Sequence, residues 1–246
     1  MWNYTQRLNI DFSKKEVNSV SEALFTFFLN QYFNTQLSQI NVANWYKGKA
    51  EYNIIDTFFE FTDVDSIIKK MENAGSSYYD DIKLMYYLSK AAQSNEKDFY
   101  ENFEAAFKIF NEQIDGMNTE TQHLLYVKTI NIINMYIKAS DNNLGKLKLE
   151  LEKQMIDKKI GFDSQGKMHA AMYSHILHDA VCAEEFEWAK EFLETYIDSV
   201  LDEAKFKYDI YYYYKAKLLS LNKKYVESNE VLLKVSKDDD TIKATS

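Results

Sequence analysis

Proline is absent from all 246 residues, and glycine occurs only six times. Sheet-rich domains of this size turn often and draw on both residues at their turns, so the two shortages favour helices. Part of the shortage is compositional. Arg7 is the only arginine while Lys, Asn, Ile, Tyr and Phe abound, a pattern of AT-rich coding, so a helical reading must rest on periodicity. A single cysteine, Cys182, excludes a disulfide framework within the chain and points to a reducing compartment, the cytoplasm. No apolar run approaches the roughly 18 residues of a membrane span. The most apolar stretch near the start, residues 24–33, is broken by Thr26, Asn30 and Gln31 and follows no basic segment, so neither a membrane anchor nor a signal peptide is expected. Lys and Arg number 29 against 38 Asp and Glu, a formal charge of −9. That is the wrong sign for a surface that displaces counterions from a phosphate backbone, and no nucleic-acid partner is expected. What is present is 46% apolar and 15% aromatic residues, enough for a sizeable core.

Periodicity places the helices. Phe99, Phe103, Ala106, Phe107, Phe110 and Ile114 form one stripe over 95–114, with Asn95 placed as its cap and Glu96 and Asp98 in its first turn. Ahead of it, 76–92 carries Ile82, Met85 and Ala92 on one side, widened by Tyr86, Leu88 and Ala91. The span 118–139 is apolar on most sides (Leu124, Leu125, Val127, Ile130, Ile132, Ile133), which predicts an inner helix. Leu144, Leu147, Leu151 and Met155 give a narrower stripe, that of an outer helix ending near Ile160. Helices are further predicted over 166–182, 184–200, 204–221 and 224–235. Another covers 15–35 on Val17, Val20, Leu24 and Phe28, and 36–73 reads as mostly helical. Gly75, Gly116 and Gly161 fall where one pair ends and the next begins, the place for a left-handed helix stop.

Pair starts near 76, 118, 166 and 204 recur at roughly 40 residues, within the range of helical-hairpin repeats. One hairpin has too little partner surface for its apolar face, so stacking supplies the core, and an α-solenoid is the economical architecture. The last two pairs carry a sharper signal. Tyr225, Ser228, Leu232 and Val235 are spaced aromatic, +3 small, +7 large, +10 apolar, and Phe186, Ala189, Leu193 and Tyr196 repeat this 39 residues earlier. The pattern resembles the second helix of a tetratricopeptide (TPR) repeat, in which a small residue lets the paired helix approach closely. Twelve residues before the small positions stand Ala216 and Leu177; only Ala216 is small, and Asp240 stands where such repeats close on proline. The match is good over 209–242 and fair over 170–200. Glu184-Glu185-Phe186-Glu187-Trp188-Ala189, Phe192, Tyr196, Tyr211–Tyr214 and Lys223-Lys224-Tyr225 also resemble an uncharacterised, divergent family of bacterial TPR-like proteins of the Bacteroidetes type, with Trp2-Asn3-Tyr4 and Asn9 fitting the same pattern. That resemblance implies a fold and no activity. Together these lines predict an all-α, TPR-like α–α superhelix over 1–246, with 1–75 helical and four helix pairs plus the start of a further helix over 76–246. The register would start a new repeat near Lys243, with Asp238, Asp239 and Asp240 as its cap, so the sequence is expected to be truncated at its C-terminus.

Three groups of residues could carry function. His175, His178, Asp179 and Cys182 lie at i, +3, +4 and +7 of one helix, and His and Cys at such spacing suit Zn²⁺. A structural site wants four good ligands and no second His/Cys cluster completes this one, so His175, His178 and Cys182 are the weaker metal candidates. A half-buried Cys with two satisfied His is the plainer reading. Tyr211 to Tyr214 point in nearly all directions from a helix and so mainly fill gaps between neighbours. In the TPR-like register, however, Tyr212 packs within its own pair, and Tyr213 faces the concave groove with Lys217 one turn on. Ser174, His178 and Cys182 stand at the equivalent groove positions one repeat earlier, a set unlike the Lys/Asn clamp for a C-terminal carboxylate. No GxSxG, HExxH, GxxxxGK[ST] or GxGxxG occurs, Asp80-Asp81 and Glu184-Glu185 read as solvated helix starts, and His178-Asp179 diverge as helical neighbours. No cofactor and no catalytic residue is therefore expected. The leading expectation is a non-enzymatic scaffold that takes a protein or peptide segment in a groove of Tyr213, Lys217, Ser174 and His178. The alternatives are a structural or sensory region of a longer protein and, more weakly, a metal-binding or thiol-dependent enzyme using Cys182.

Overall fold

The computed structural model describes residues 14–46, 57, 60–137, 142–201 and 204–235. Every regular element among them is a helix, so the all-α class holds. Contacts divide the chain into two compact units, 1–117 and 118–246. Among the described residues no helix is long and apolar enough to cross a membrane.

In the first unit α1 (Lys14–Tyr46) and α2 (Val64–Asn73) both pack on α3 (Ser77–Gln93), which in turn pairs with α4 (Glu96–Gln113). The Asn95 side chain accepts from the amides of Lys97 and Asp98, as a cap should. Phe99, Phe103, Phe107 and Phe110 form a stacked ladder along α4, with centroids 5.2, 5.9 and 6.1 Å apart. The stripe predicted for the first helix is corrected. Val20, Leu24 and Phe28 are exposed, while Thr26, Leu29, Phe33 and Leu37 form the buried face. Ser89 of α3 donates to Gln36 of α1 at 2.8 Å and fixes that face.

In the second unit α5 (Thr119–Tyr136) packs on α6 (Asn142–Asp157), and α6 on α7 (Ala170–Cys182). The pair α7 and α8 (Phe186–Tyr196) is followed by the pair α9 (Ala204–Leu221) and α10 (Tyr225–Leu232). Helix α9 packs against both α7 and α8. Leu124 and Val127 are exposed, so α5 has a solvated side and is not the fully covered helix its composition predicted. Conversely α6 buries more than a narrow stripe: Leu149 and Ile156 join Leu144, Leu151 and Met155, and so do Lys148 and Glu152. Residues 161–169 form no helix. Asp163 accepts from the amides of Gln165 and Lys167, and Met168 exchanges backbone bonds with Ser199 and Leu201, so the chain is tied across the end of α8 before α7 begins. Asp238–Asp240 and Lys243, with the predicted further helix, lie outside the described residues.

Left-handed stops close several helices. Gly75 (φ +61°) and Gly161 (φ +84°) take the predicted role, and a Cβ on Gly161 would meet the Met172 sulfur at 3.0 Å. Gly116 does not; it ends a 3₁₀ turn, Ile114–Gly116, without positive φ. The turns inside the last two pairs use Glu184 (φ +62°) and Lys223 (φ +61°) instead, 39 residues apart. Their hydrogen bonds repeat at the same interval: Glu184 to Val181 and Glu185 to Ala180, then Lys223 to Ser220 and Lys224 to Leu219. At the small position of the last pair, Ser228 is buried and its hydroxyl donates to the Ala216 carbonyl at 2.8 Å, which places α10 hard against α9.

Candidate partner-binding face

Helices α7 and α9 lie side by side, and between them they carry the residues that the sequence singled out. Ser174 is 5% exposed, and its side chain bonds the hydroxyl of the buried Tyr214. It is therefore part of the packing and not an open contact, which corrects its placement in the groove. Burial pushes the Tyr214 phenol up to about 12, against the Ser174 hydrogen bond. Tyr214, and not Tyr212, is the buried member of the tyrosine run. Tyr212 takes the ammonium of Lys234 over its ring at 5.5 Å, a contact within its own pair. Tyr211 donates to Glu194 at 2.8 Å and Lys215 closes the group with a 2.9 Å ion pair to the same carboxylate, joining α9 to α8.

Tyr213 is half-buried and stands edge-on to Tyr214, centroids 5.1 Å apart. Lys217, one turn on, is half-buried with its ammonium 5.9 Å from the Tyr214 ring, and among the described residues no carboxylate pairs with it. His178 on α7 is exposed, with Nε2 3.4 Å from Cys182 Sγ. Its imidazole is held below the ordinary histidine value, first by partial burial and then by Lys217, Lys148 and His175, against the pull of Asp179, so it is neutral at pH 7. A rigid aromatic edge, an uncommitted ammonium and a neutral imidazole thus share one surface. That set suits hydrogen-bonding recognition of a polypeptide.

No family model matches the chain, and neither the curated proteins nor the solved structures contain a match.

The metal candidates fare differently. His178 and Cys182 meet, but among the described residues no group of three or more His, Cys, Asp or Glu comes together around a common point. Asp179, on the same helix, is engaged elsewhere: Lys148 of α6 holds its Oδ2 at 2.7 Å, both side chains nearly buried. Glu152, one turn from Lys148, is buried beside them and in hydrogen-bond reach of Asp179. Its Oε2 has no donor. Burial and the Asp179 carboxylate push the Glu152 carboxyl well above its ordinary value, against Lys148, so Glu152 holds its proton beside Asp179. This cluster was not foreseen. Its only trace in the sequence is a Lys–Glu pair four residues apart on the stripe of Leu144, Leu151 and Met155, where such pairs usually face water.

Proposed function

We propose that the chain is a helical-repeat scaffold, TPR-like in its last two pairs, that binds a segment of a protein partner on the face shared by α7 and α9. The observation that supports it most is the 39-residue recurrence of the hairpin, present in the apolar spacing and in the turn hydrogen bonds alike. Stacked hairpins align their first helices into one continuous face, and binding by such arrays concentrates there. Here that face offers Tyr213, Lys217 and His178, with Ser174 beneath them as support for Tyr214. Nothing in this reading requires a cofactor or a catalytic step.

The test is affinity capture from source-cell lysate with mass spectrometry, comparing the wild-type chain with a Tyr213→Ala/Lys217→Glu variant of equal helicity. A partner held by the wild type and lost by the variant is the expected result, since truncating an aromatic anchor and reversing its neighbouring charge removes about 2 kcal/mol or more. A partner held equally by both would place the interface elsewhere and overturn the assignment of this face.

A further inference from the structure

The carboxylates of the second unit are unevenly placed. Helix α8 carries Glu187, Glu191 and Glu194, all exposed, within 11 residues. Helices α7 and α9 hold one acid each, Asp179 and Asp209, and neither is open to water. Asp209 is buried, and Asp179 is paired with Lys148 of α6 at 2.7 Å. In a chain with a formal charge of −9, the surface that α7 and α9 share therefore presents no open carboxylate among the described residues. It does present a cation. The Lys217 ammonium has the Tyr214 ring beside it at 5.9 Å and no counter-ion, whereas Lys215 is held by Glu194 and Lys207 is buried against the Tyr208 ring.

His178 stands across from it on α7. Its Nε2 faces Cys182 Sγ, and among the described residues nothing engages Nδ1. Charges reach this imidazole from three helices. On α7 itself Asp179 favours the protonated ring and His175 opposes it, and Lys217 of α9 and Lys148 of α6 oppose it as well. Glu152 of α6 holds its own proton beside Asp179 and adds no charge. The charges of α8 are placed elsewhere: Glu194 binds Tyr211 and Lys215, and Glu187, Lys190 and Glu191 line a shallow hollow formed by α8 residues alone. The ring is thus kept neutral by partial burial first and then by cations, of which Lys217 is unneutralised. An anion set between the two residues would answer both. It would pair with the ammonium and, by cancelling that repulsion, let the imidazole take up a proton and donate to the same anion.

We infer that the α7–α9 face takes an acidic segment of its partner, with one side-chain carboxylate held between Lys217 and His178 and the adjoining residues packed on Tyr213. This rests on the reading of that face as the partner site and adds the chemistry of the partner to it. Binding is accompanied by uptake of a proton on His178, so the complex tightens as pH falls from 8 to 6.

The probe is a peptide of Glu-Ser repeats, six residues long, acetylated and amidated so that no terminal carboxylate remains. It is added to the full chain at about 20 mM salt, where surface charges are little screened, and followed by the ring resonances of His178 in NMR. The matching Gln-Ser peptide is the uncharged control. The acidic peptide is expected to raise the pH at which His178 titrates, and its affinity should increase by about fivefold from pH 8 to pH 6. In His178→Gln that increase should vanish, although His175 still titrates. Lys217→Gln should weaken binding by about fivefold at either pH. Neither side chain is in the core, and an unchanged helical circular dichroism spectrum confirms the fold of each variant. A His178 titration unmoved by about 1 mM acidic peptide, equal shifts with the Gln-Ser peptide, or a pH dependence that survives His178→Gln would each overturn the inference. The face itself is judged by the lysate capture. A partner lost with Tyr213→Ala/Lys217→Glu that binds through a segment without acidic residues would retain the face and refute the acidic ligand.

Discussion

Lys148, Glu152 and Asp179 take two carboxyls and one ammonium out of water between α6 and α7, an arrangement that is stable only while the charges balance. Protonated Glu152 supplies the balance: Lys148 and Asp179 pair as ions, and the acid donates to its neighbour. Because the folded carboxyl lies well above its ordinary value of 4.5, the native state keeps a proton that the unfolded chain releases. Its contribution to stability is therefore complete below that ordinary value and is lost as pH rises toward the folded one. Glu152→Gln, which is uncharged at every pH, should flatten this decline and raise stability at pH 7–8 by about 1 kcal/mol or more, read by urea unfolding across pH 4–8. An unaltered pH profile would mean that Glu152 is ionised in the fold. Lys148→Met has the opposite sign: it strands the Asp179 charge and should cost about 3–5 kcal/mol at pH 7. At this scale the sequence was only half legible. Asp179 stood out through its spacing with His175, His178 and Cys182, but spacing on one helix says nothing of what the next helix brings. Lysine and glutamate on α6 read as solvent-facing because that is where unpaired charges go. Only the neighbour Asp179 makes their burial tolerable.

Helices were legible wherever one stripe was apolar and the other faces polar. The α4 ladder with its Asn95 cap and the α9 span of residues 204–221 appear as the periodicity predicted. The failures share a cause. In α1 apolar residues occur on two faces, and nothing local decides which face finds a partner, so the sequence reads Val20, Leu24 and Phe28 as core while Leu29, Phe33 and Leu37 hold it. The helix expected from residue 166 begins only at Ala170, because Met168, though apolar, is tied by backbone bonds to Ser199 and Leu201 at the end of α8. Glycine likewise misled in one direction: the left-handed turns of the last two pairs rest on Glu184 and Lys223, residues for which that conformation costs about 1 kcal/mol. Glu184→Gly or Lys223→Gly should recover most of it, raising the melting temperature by about 2–4 °C in a chain this long, and scanning calorimetry would show it. Lower melting temperatures would mean that the side chains contribute more than the backbone strain they impose. The contact that defines the last pair responds the other way. Ser228→Leu inserts bulk where α10 meets the Ala216 carbonyl and removes the hydrogen bond to it, a loss of about 1–3 kcal/mol.

For the molecule as a whole, the 39-residue interval makes a claim about how stability is distributed. If the last two pairs are interchangeable modules, residues 186–224 can be excised in one piece, joining Glu185 directly to Tyr225. The turn would keep its bonds from Glu184 to Val181 and from Glu185 to Ala180, because both lie on the retained side. Ser228 would then occupy the place of Ala189, and Leu232 that of Leu193. The Tyr173 hydroxyl, which donates 2.6 Å to the Leu193 carbonyl, would find that of Leu232. What is lost is the cover that Ile210, Tyr214 and Leu218 of α9 give to α7, together with the backbone bonds of Met168 to Ser199 and Leu201, so the shortened chain should melt at a lower temperature. It should nevertheless retain its helicity per residue in circular dichroism and unfold in one cooperative step, since each repeat in such an array depends on its nearest neighbours only. A chain that keeps its helices but loses its sharp transition and binds a hydrophobic dye would show that the pairs are parts of one indivisible core. The likeness of their turns would then be a local solution to ending a helix, without the modular stacking on which the scaffold reading depends.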